Sequence, residues 1–306
     1  MSGILRKYAR YADTLYYLSF SLFTIFMTLS NSMLGQSVFF HGLLLAVKFL
    51  CLGLVCGKIL LSGDFLKKSF LPAMLFMMLS VIVYLVMGDS LLMMLTFLTF
   101  GAYGCSHKRL AWLFLWCAGS VVLLCTLCAT LGIVEDRIFY RHDSDTARHS
   151  MGMTYATIWS AMIFFLSAVY LYLRKKNIRL WELLLAALVS IGAYLLSQTR
   201  IELAASLVMV AAVLLFRYYR KAKITPWILS YSVIIACAVA FITVYLYIWD
   251  PETCAFLNRL LTGRLWYGSQ GITQYGYSLF GQMIPMQGHG TIQSDPEIGY
   301  FFIDAF

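Results

Sequence analysis

The sequence predicts an all-α polytopic membrane protein, and two observations support this fold class. Of its 306 residues, 61% are hydrophobic and only 12% are charged, with a mean hydropathy of +0.79, whereas soluble domains carry about 25% charged residues. The apolar runs are about 20 residues long, which is the length that an α-helix needs to cross a bilayer. Because backbone polar groups in lipid must pair within the chain, we expect these runs to be helices.

The apolar runs predict about nine transmembrane helices in a single integral membrane domain, residues 1–306. The first run is longer than the core of a signal peptide and lacks a small-residue cleavage site, so we expect an uncleaved first span. The predicted spans are residues 15–34, 43–61, 71–87, 91–103, 110–133, 153–173, 180–196, 201–216 and 227–248. Two larger polar loops remain, residues 134–152 and 249–299, and we expect short amphipathic helices in the second.

The distribution of basic residues predicts the orientation of these spans. Most Lys and Arg residues outside the spans fall in the loops on one side of the predicted topology. Cytoplasmic loops carry this excess in membrane proteins, so we expect the N-terminus inside the cell and the loops 134–152 and 249–299 outside. The same excess explains the net charge of +9 without a nucleic-acid partner. Within the second span, Lys48 and Lys58 lie near its ends, and we expect them to snorkel.

All six basic residues on the predicted outer side are arginines, whereas the inner loops mix lysine and arginine. The six residues are Arg137, Arg141, Arg148, Arg200, Arg259 and Arg264. A guanidinium group can hold a phosphate through two parallel hydrogen bonds, so this set indicates an anionic ligand on the outer face. The alternative is a set of surface arginines paired with neighbouring carboxylates, and Glu202 keeps that alternative open for Arg200.

The stretch of residues 135–154 concentrates ionisable side chains between two apolar segments. His142 and His149 lie in it without a cysteine or further histidine nearby, so we expect no metal site. We interpret Asp143 and Asp145 as parts of a solvated turn. The sequence contains no Walker loop, nucleophile elbow or H-E-x-x-H motif, and we expect no cofactor.

Five short stretches in the second half of the chain resemble those of a known superfamily. Residues 148–152 (RHSMG) are similar to an R-x-S-L-G stretch, and residues 197–200 (SQTR) to a T-x-S-R turn with the order altered. Residues 263–266 (GRLW) resemble a stretch with GRL, and residues 275–282 (YGYSLFGQ) resemble the stretch ending in FGQ that follows it. Residues 297–300 (EIGY) stand where the superfamily has D-N-x-Y, but they lack the Asn. In this order and spacing they resemble the O-antigen ligase and polysaccharide polymerase superfamily.

The resemblance implies a metal-independent glycosyl transfer on the outer face of the bacterial cell membrane. The donor would be a growing chain on undecaprenyl pyrophosphate, and the acceptor an oligosaccharide repeat unit on the same lipid. Membrane lipid, a flippase and a chain-length regulator are the further partners it implies. Because family members continue through further spans, and the stretch ending at Phe306 resembles the start of one, we expect a C-terminally truncated chain.

The same resemblance implies roles for particular side chains. Arginines would stabilise the charge that develops on the leaving pyrophosphate, and one further side chain would take the proton of the attacking hydroxyl. The expected substrate-binding residues are Arg148, Arg200 and Arg264, with Arg141 next, and the candidate bases are His289, Glu297 and Asp295.

Other functions remain open at this stage. An O-antigen-type ligase would use the same donor with a different acceptor. A transporter or flippase of lipid-linked oligosaccharide would show broken helices near the middle of the membrane and an internal repeat, and the sequence contains no repeat. A non-catalytic scaffold would not need six outer arginines.

The predicted orientation can be tested by cysteine labelling. In a variant without the native cysteines, Ser144→Cys places one thiol in the loop 134–152. We expect a maleimide that cannot cross the membrane to label it in intact cells, because this loop is predicted outside. Lys67→Cys, in a loop predicted inside, is the control and should react only after permeabilisation. The opposite labelling pattern would reverse the orientation.

Overall fold

A computed structural model of the protein describes residues 2–141, 144–174, 177–218, 226–261, 263–278 and 280–282. Within these residues the chain forms eleven α-helices and one two-stranded antiparallel sheet. The helices are α1 Ser2–Ser30, α2 Val38–Ser62, α3 Leu71–Met87, α4 Leu91–Gly101, α5 His107–Thr130, α6 Ala156–Arg174, α7 Leu180–Ser197, α8 Arg200–Tyr218, α9 Pro226–Trp249, α10 Ala255–Leu260 and α11 Arg264–Tyr275. The strands are β1 Ile138–Arg141 and β2 Ser144–His149.

Six helical segments among the described residues are long and apolar enough to cross a membrane. They are Tyr11–Ser30, Val38–Ser62, Lys68–Met87, His107–Thr130, Ala156–Arg174 and Leu180–Ser197. The prediction of a largely helical membrane protein is confirmed at this level. The count of nine spans stays a prediction, because the short helix α4, the helix α8 and the described apolar part of α9 are not among the six.

The chain divides into two compact units. The first contains residues 1–80 and 90–220, and the second contains residues 81–89 and 221–306.

In the first unit, α1 packs against α2 and α5, and α6 packs against α5, α7 and α8. Polar side chains of α1 bond to the backbone of neighbouring helices. The Tyr16 hydroxyl donates to the carbonyl of Leu98 at 2.7 Å, and the Ser19 hydroxyl donates to the carbonyl of Cys51 at 2.9 Å. These buried groups are therefore satisfied within the bundle, as a lipid surrounding requires.

At one end of the first unit, where α2, α4 and α6 end, two basic side chains, Lys58 and Arg174, make specific contacts; we name it the basic end. Lys58 is 1% exposed, and its Nζ donates to the carbonyl of Tyr103 at 2.5 Å. The prediction that Lys58 snorkels to water is therefore wrong, because a protein carbonyl solvates its ammonium group. Arg174 of α6 lies 2.9 Å from the buried carboxylate of Glu182 in α7.

The opposite end of the first unit, where α1, α5 and α7 end, carries the hairpin of β1 and β2; we name it the hairpin end. The segment that follows the hairpin is fixed to the end of α1. Ser32 and Met153 form an isolated β-bridge, and the Thr154 N–H donates to the carbonyl of Asn31 at 2.9 Å. These contacts fix the position at which β2 leads into α6.

In the second unit, α11 packs against α9, and α10 is a neighbour of α11. The ring of Tyr277 stacks on Tyr245 of α9 with centroids 6.3 Å apart. After α9, Asp250 accepts hydrogen bonds from the hydroxyl and the N–H of Thr253, which hold the pKa of its carboxyl below the usual range. The two short helices fall within residues 249–299, where the sequence predicts them; the location of this loop on the outer side of the membrane stays a prediction.

The tight backbone at Gly152 generates a stability prediction. Gly152 has φ +78°, and a β-carbon there would lie 2.6 Å from the carbonyl oxygen of Cys125 in α5. Gly132 has φ +72° but nothing within 4 Å of that position. A left-handed backbone costs any L-residue about 1–2 kcal/mol. The free energy of unfolding should therefore fall by this amount in both alanine variants, and by more in Gly152→Ala, because its β-carbon would also meet Cys125.

The measurement is the midpoint of thermal unfolding of each purified variant in detergent. We expect the midpoint of Gly152→Ala to fall clearly below that of Gly132→Ala, because only the former must also displace α5 from the loop. Equal midpoints would show that the loop moves away from α5 at no cost.

Candidate functional site

Much of the loop 134–152 is a β-hairpin, which the sequence analysis did not predict. In the paired strands, Ile138 faces His149 and Phe139 faces Arg148. Successive residues of a strand point to opposite faces, so Arg148 shares one face with Phe139 and His149 shares the other with Ile138. The β-branched and aromatic start of β1, Ile-Phe-Tyr, is the signal that could have indicated a strand.

Arg148 connects the hairpin to the end of α7. Its Nε donates to the carbonyl of Ser197 at 3.1 Å, across 49 residues of sequence. Its guanidinium carbon lies 5.6 Å from the centre of the Tyr155 ring, within the range of a cation–π contact. The final carbonyls of a helix have no partner within the helix, so Arg148 satisfies a group that α7 leaves open.

The turn between α7 and α8 is held by its own side chains. Gln198 adopts a left-handed conformation with φ +54° and ends α7. The hydroxyl groups of Ser197 and Thr199 lie 2.8 Å apart, and both side chains are buried. Arg200 follows as the exposed first residue of α8. Its charge therefore lies at a helix N-terminus, which itself favours anions.

The positive charges of Arg148 and Arg200 have no carboxylate partner among the described residues. The alternative that Glu202 pairs with Arg200 is not found there. Arg148 uses only its Nε, and neither of its terminal nitrogens bonds to a residue that the structure describes. The two motif stretches 148–152 and 197–200, separated in sequence, thus meet at the hairpin end, and neither arginine contacts a carboxylate that the structure describes.

The structure describes the other predicted site residues only in part. Arg264 is the exposed first residue of α11, preceded by Gly263 at φ +83°, and belongs to the second unit. Its place in a common arginine cluster stays a prediction. Arg141 ends β1, but its side chain lies outside the described residues, as do His289, Glu297 and Asp295.

A second polar cluster lies at the base of the hairpin. The Nδ1 of His149 lies 2.6 Å from a carboxylate oxygen of Asp136. The same carboxylate accepts the N–H of Met151 at 2.7 Å and the hydroxyl of Ser150 at 3.4 Å. The sequence analysis considered His149 only as a metal ligand. In the described part of the chain, no group of three or more His, Cys, Asp or Glu side chains is placed to hold a metal ion.

An apolar groove of about 600 Å³ lies between α1, α4, α5 and α6 in the first unit. Asn31 and Met153 line it at the hairpin end, and Ala102 and His107 line it toward the basic end. The groove therefore extends along the bundle and reaches the segment that carries the hairpin.

Comparisons of the chain with protein-family models, curated proteins and solved structures find no match. The chemistry of the hairpin end is therefore the basis for a function.

Proposed function

We propose that the protein is a polymerase that joins undecaprenyl-pyrophosphate-linked oligosaccharide repeat units into a surface polysaccharide on the outer face of the membrane. The observation that supports this proposal best is the contact between Arg148 and the carbonyl of Ser197. It brings together the two stretches whose arginines the resemblance assigns to the substrate, and in the described part of the chain Arg200 has no carboxylate partner.

The reaction needs the groups that this site offers. The oxygen of the acceptor hydroxyl forms a bond to the anomeric carbon of the donor chain, and the bond from that carbon to the pyrophosphate oxygen breaks. Negative charge grows on the leaving pyrophosphate. Positive groups that are held in place before the reaction stabilise such charge without a cost of reorganisation. The contacts of Arg148 with Ser197 and Tyr155 fix its guanidinium group in this way.

The groove in the first unit supports a lipid substrate. An anionic headgroup at the arginines of the hairpin end would have an apolar tail, and the groove begins at the same end, beside Asn31 and Met153. A soluble nucleotide-sugar would not use an apolar groove of this volume. The combination favours an amphiphile, which is what a polyprenyl pyrophosphate is.

The closest competing function, an O-antigen-type ligase, uses the same donor and the same arginines. The two differ in the acceptor, so their products differ in length. A polymerase lengthens a lipid-linked chain repeat by repeat, whereas a ligase moves a finished chain to another acceptor.

The arginine cluster makes the first prediction on activity. Arg148→Lys, Arg200→Lys and Arg264→Lys keep the charge but lose the planar fork that binds two phosphate oxygens. We expect each to lower polymerisation by about 10²–10³-fold, equivalent to about 2.7–4 kcal/mol of transition-state stabilisation. The measurement is the length and amount of polymer in a strain without the native gene, at matched membrane levels of each variant.

Two other outer arginines serve as matched controls. Arg137 is half-buried and lies 3.9 Å from Glu135, and Arg259 is exposed on α10. Arg137→Lys and Arg259→Lys should leave the polymer unchanged. Polymer of normal length and amount from all three lysine variants would refute the proposed binding of pyrophosphate by Arg148, Arg200 and Arg264. If a strain that lacks the protein makes unchanged polymer, the protein is not the polymerase. If that strain makes lipid-linked chains of normal length but no longer transfers them to another acceptor, the protein is a ligase.

A further inference from the structure

We infer that His149, oriented by Asp136, is the general base that takes the proton of the acceptor hydroxyl. The inference rests on the proposed function and adds to it a catalytic pair in the first outer loop. The observation that carries it is the contact of 2.6 Å between His149 Nδ1 and the Asp136 carboxylate.

The contact determines which nitrogen of the imidazole carries the proton. An ionised carboxylate only accepts hydrogen bonds, so the Nδ1 that bonds to it must be the protonated nitrogen. In the neutral ring the Nε2 then keeps its lone pair and can accept a proton. This is the role that a carboxylate plays for histidine in hydrolytic triads, where it fixes the tautomer and stabilises the imidazolium ion.

The carboxylate is itself held in place. The Met151 N–H donates to Asp136 at 2.7 Å, and Met151 has a left-handed backbone with φ +50°. The Ser150 hydroxyl donates to the same oxygen at 3.4 Å. A base whose orientation is fixed by such supporting bonds needs little rearrangement during the reaction.

The imidazole is accessible to a substrate. The side chain of His149 is 34% exposed, and its Nε2 makes no hydrogen bond to any residue that the structure describes. By contrast, His41, also near the hairpin end, bonds through Nδ1 to the carbonyl of Ser37 in its own helix start, at 3.1 Å, and contacts no carboxylate that the structure describes.

Every proton, bond and electron pair is accounted for in the proposed step. The proton of the acceptor hydroxyl passes to His149 Nε2 while the oxygen bonds to the anomeric carbon. The electron pair of the broken bond leaves with undecaprenyl pyrophosphate, and the imidazolium ion then returns its proton to that group or to water. No oxidant, metal or cofactor takes part.

A purely structural role is the alternative, in which the pair only closes the base of the hairpin. His149→Asn separates the two roles, because the amide nitrogen of Asn replaces Nδ1 as donor to Asp136 but supplies no Nε2. The substrate for the assay is the lipid-linked repeat unit extracted from the strain that lacks the native gene. Purified wild-type and variant proteins are compared for the rate of polymer formation, and His41→Asn is the matched control.

We expect His149→Asn to lower the rate by about 10²–10⁴-fold, the usual contribution of a general base. The midpoint of thermal unfolding should stay close to that of the wild type, and added imidazole should restore part of the rate. Asp136→Asn should also lower the rate, because an amide can donate to Nδ1 and so favour the wrong tautomer. His41→Asn should behave as the wild type.

Several results would overturn the inference. Normal polymerisation by His149→Asn would limit the pair to a structural role, and so would a low rate that imidazole does not restore. If His149→Asn and His149→Gln both fail to fold, the role is structural. Loss of the rate in His289→Asn or Glu297→Gln with normal His149→Asn would move the base to the second outer loop. A wild-type protein that makes no polymer from these units would instead refute the proposed function.

Discussion

The hydrogen bond from Arg148 to the carbonyl of Ser197 is the contact on which the hairpin end depends. It joins β2 to the last turn of α7 and so fixes the hairpin against the helical bundle. It also satisfies a helix carbonyl that α7 leaves without an internal partner. Because a carbonyl carries only a partial charge, the contact orients the guanidinium group without neutralising it. A cation held in place without being neutralised by that contact is what the proposed anionic substrate requires.

The same molecule shows the opposite use of an arginine at the end of a helix. At the basic end, Arg174 contacts Glu182 through both its Nε and a terminal nitrogen, and that carboxylate also accepts the hydroxyl of Tyr170 and the N–H of Arg179. The buried carboxylate of Glu182 thereby receives enough donors to offset its desolvation. No such carboxylate meets Arg148 or Arg200 in the described residues. Among the described residues, Arg174 is therefore paired with a carboxylate, whereas Arg148 contacts a neutral carbonyl.

The fold could be predicted from the sequence where one property decides the structure. Apolar length predicts the helices, since lipid allows few other structures. Contacts between distant residues could not be predicted in this way. Periodicity over the four residues of β1 is too short to identify a strand, and the pairing of Asp136 with His149 exists only because the hairpin folds back across 13 residues. The sequence shows that Lys58 is near a helix end and so predicts that it reaches water, but it does not show the carbonyl of Tyr103 that binds it.

The sequence predicts which types of residue form the site, but not how these residues are arranged in space. An all-arginine outer side indicates an anion, but it does not show which arginines are already paired. The structure separates Arg137, which lies near Glu135, from Arg200, which has no such partner among the described residues. The bond from Arg148 to the end of α7 uses Nε, and the two terminal nitrogens, which form one edge of the fork, make no bond to a described residue, so the proposed ligand could bind there. A lysine at this position would have a single nitrogen for both tasks, so capping the helix and holding a phosphate would compete.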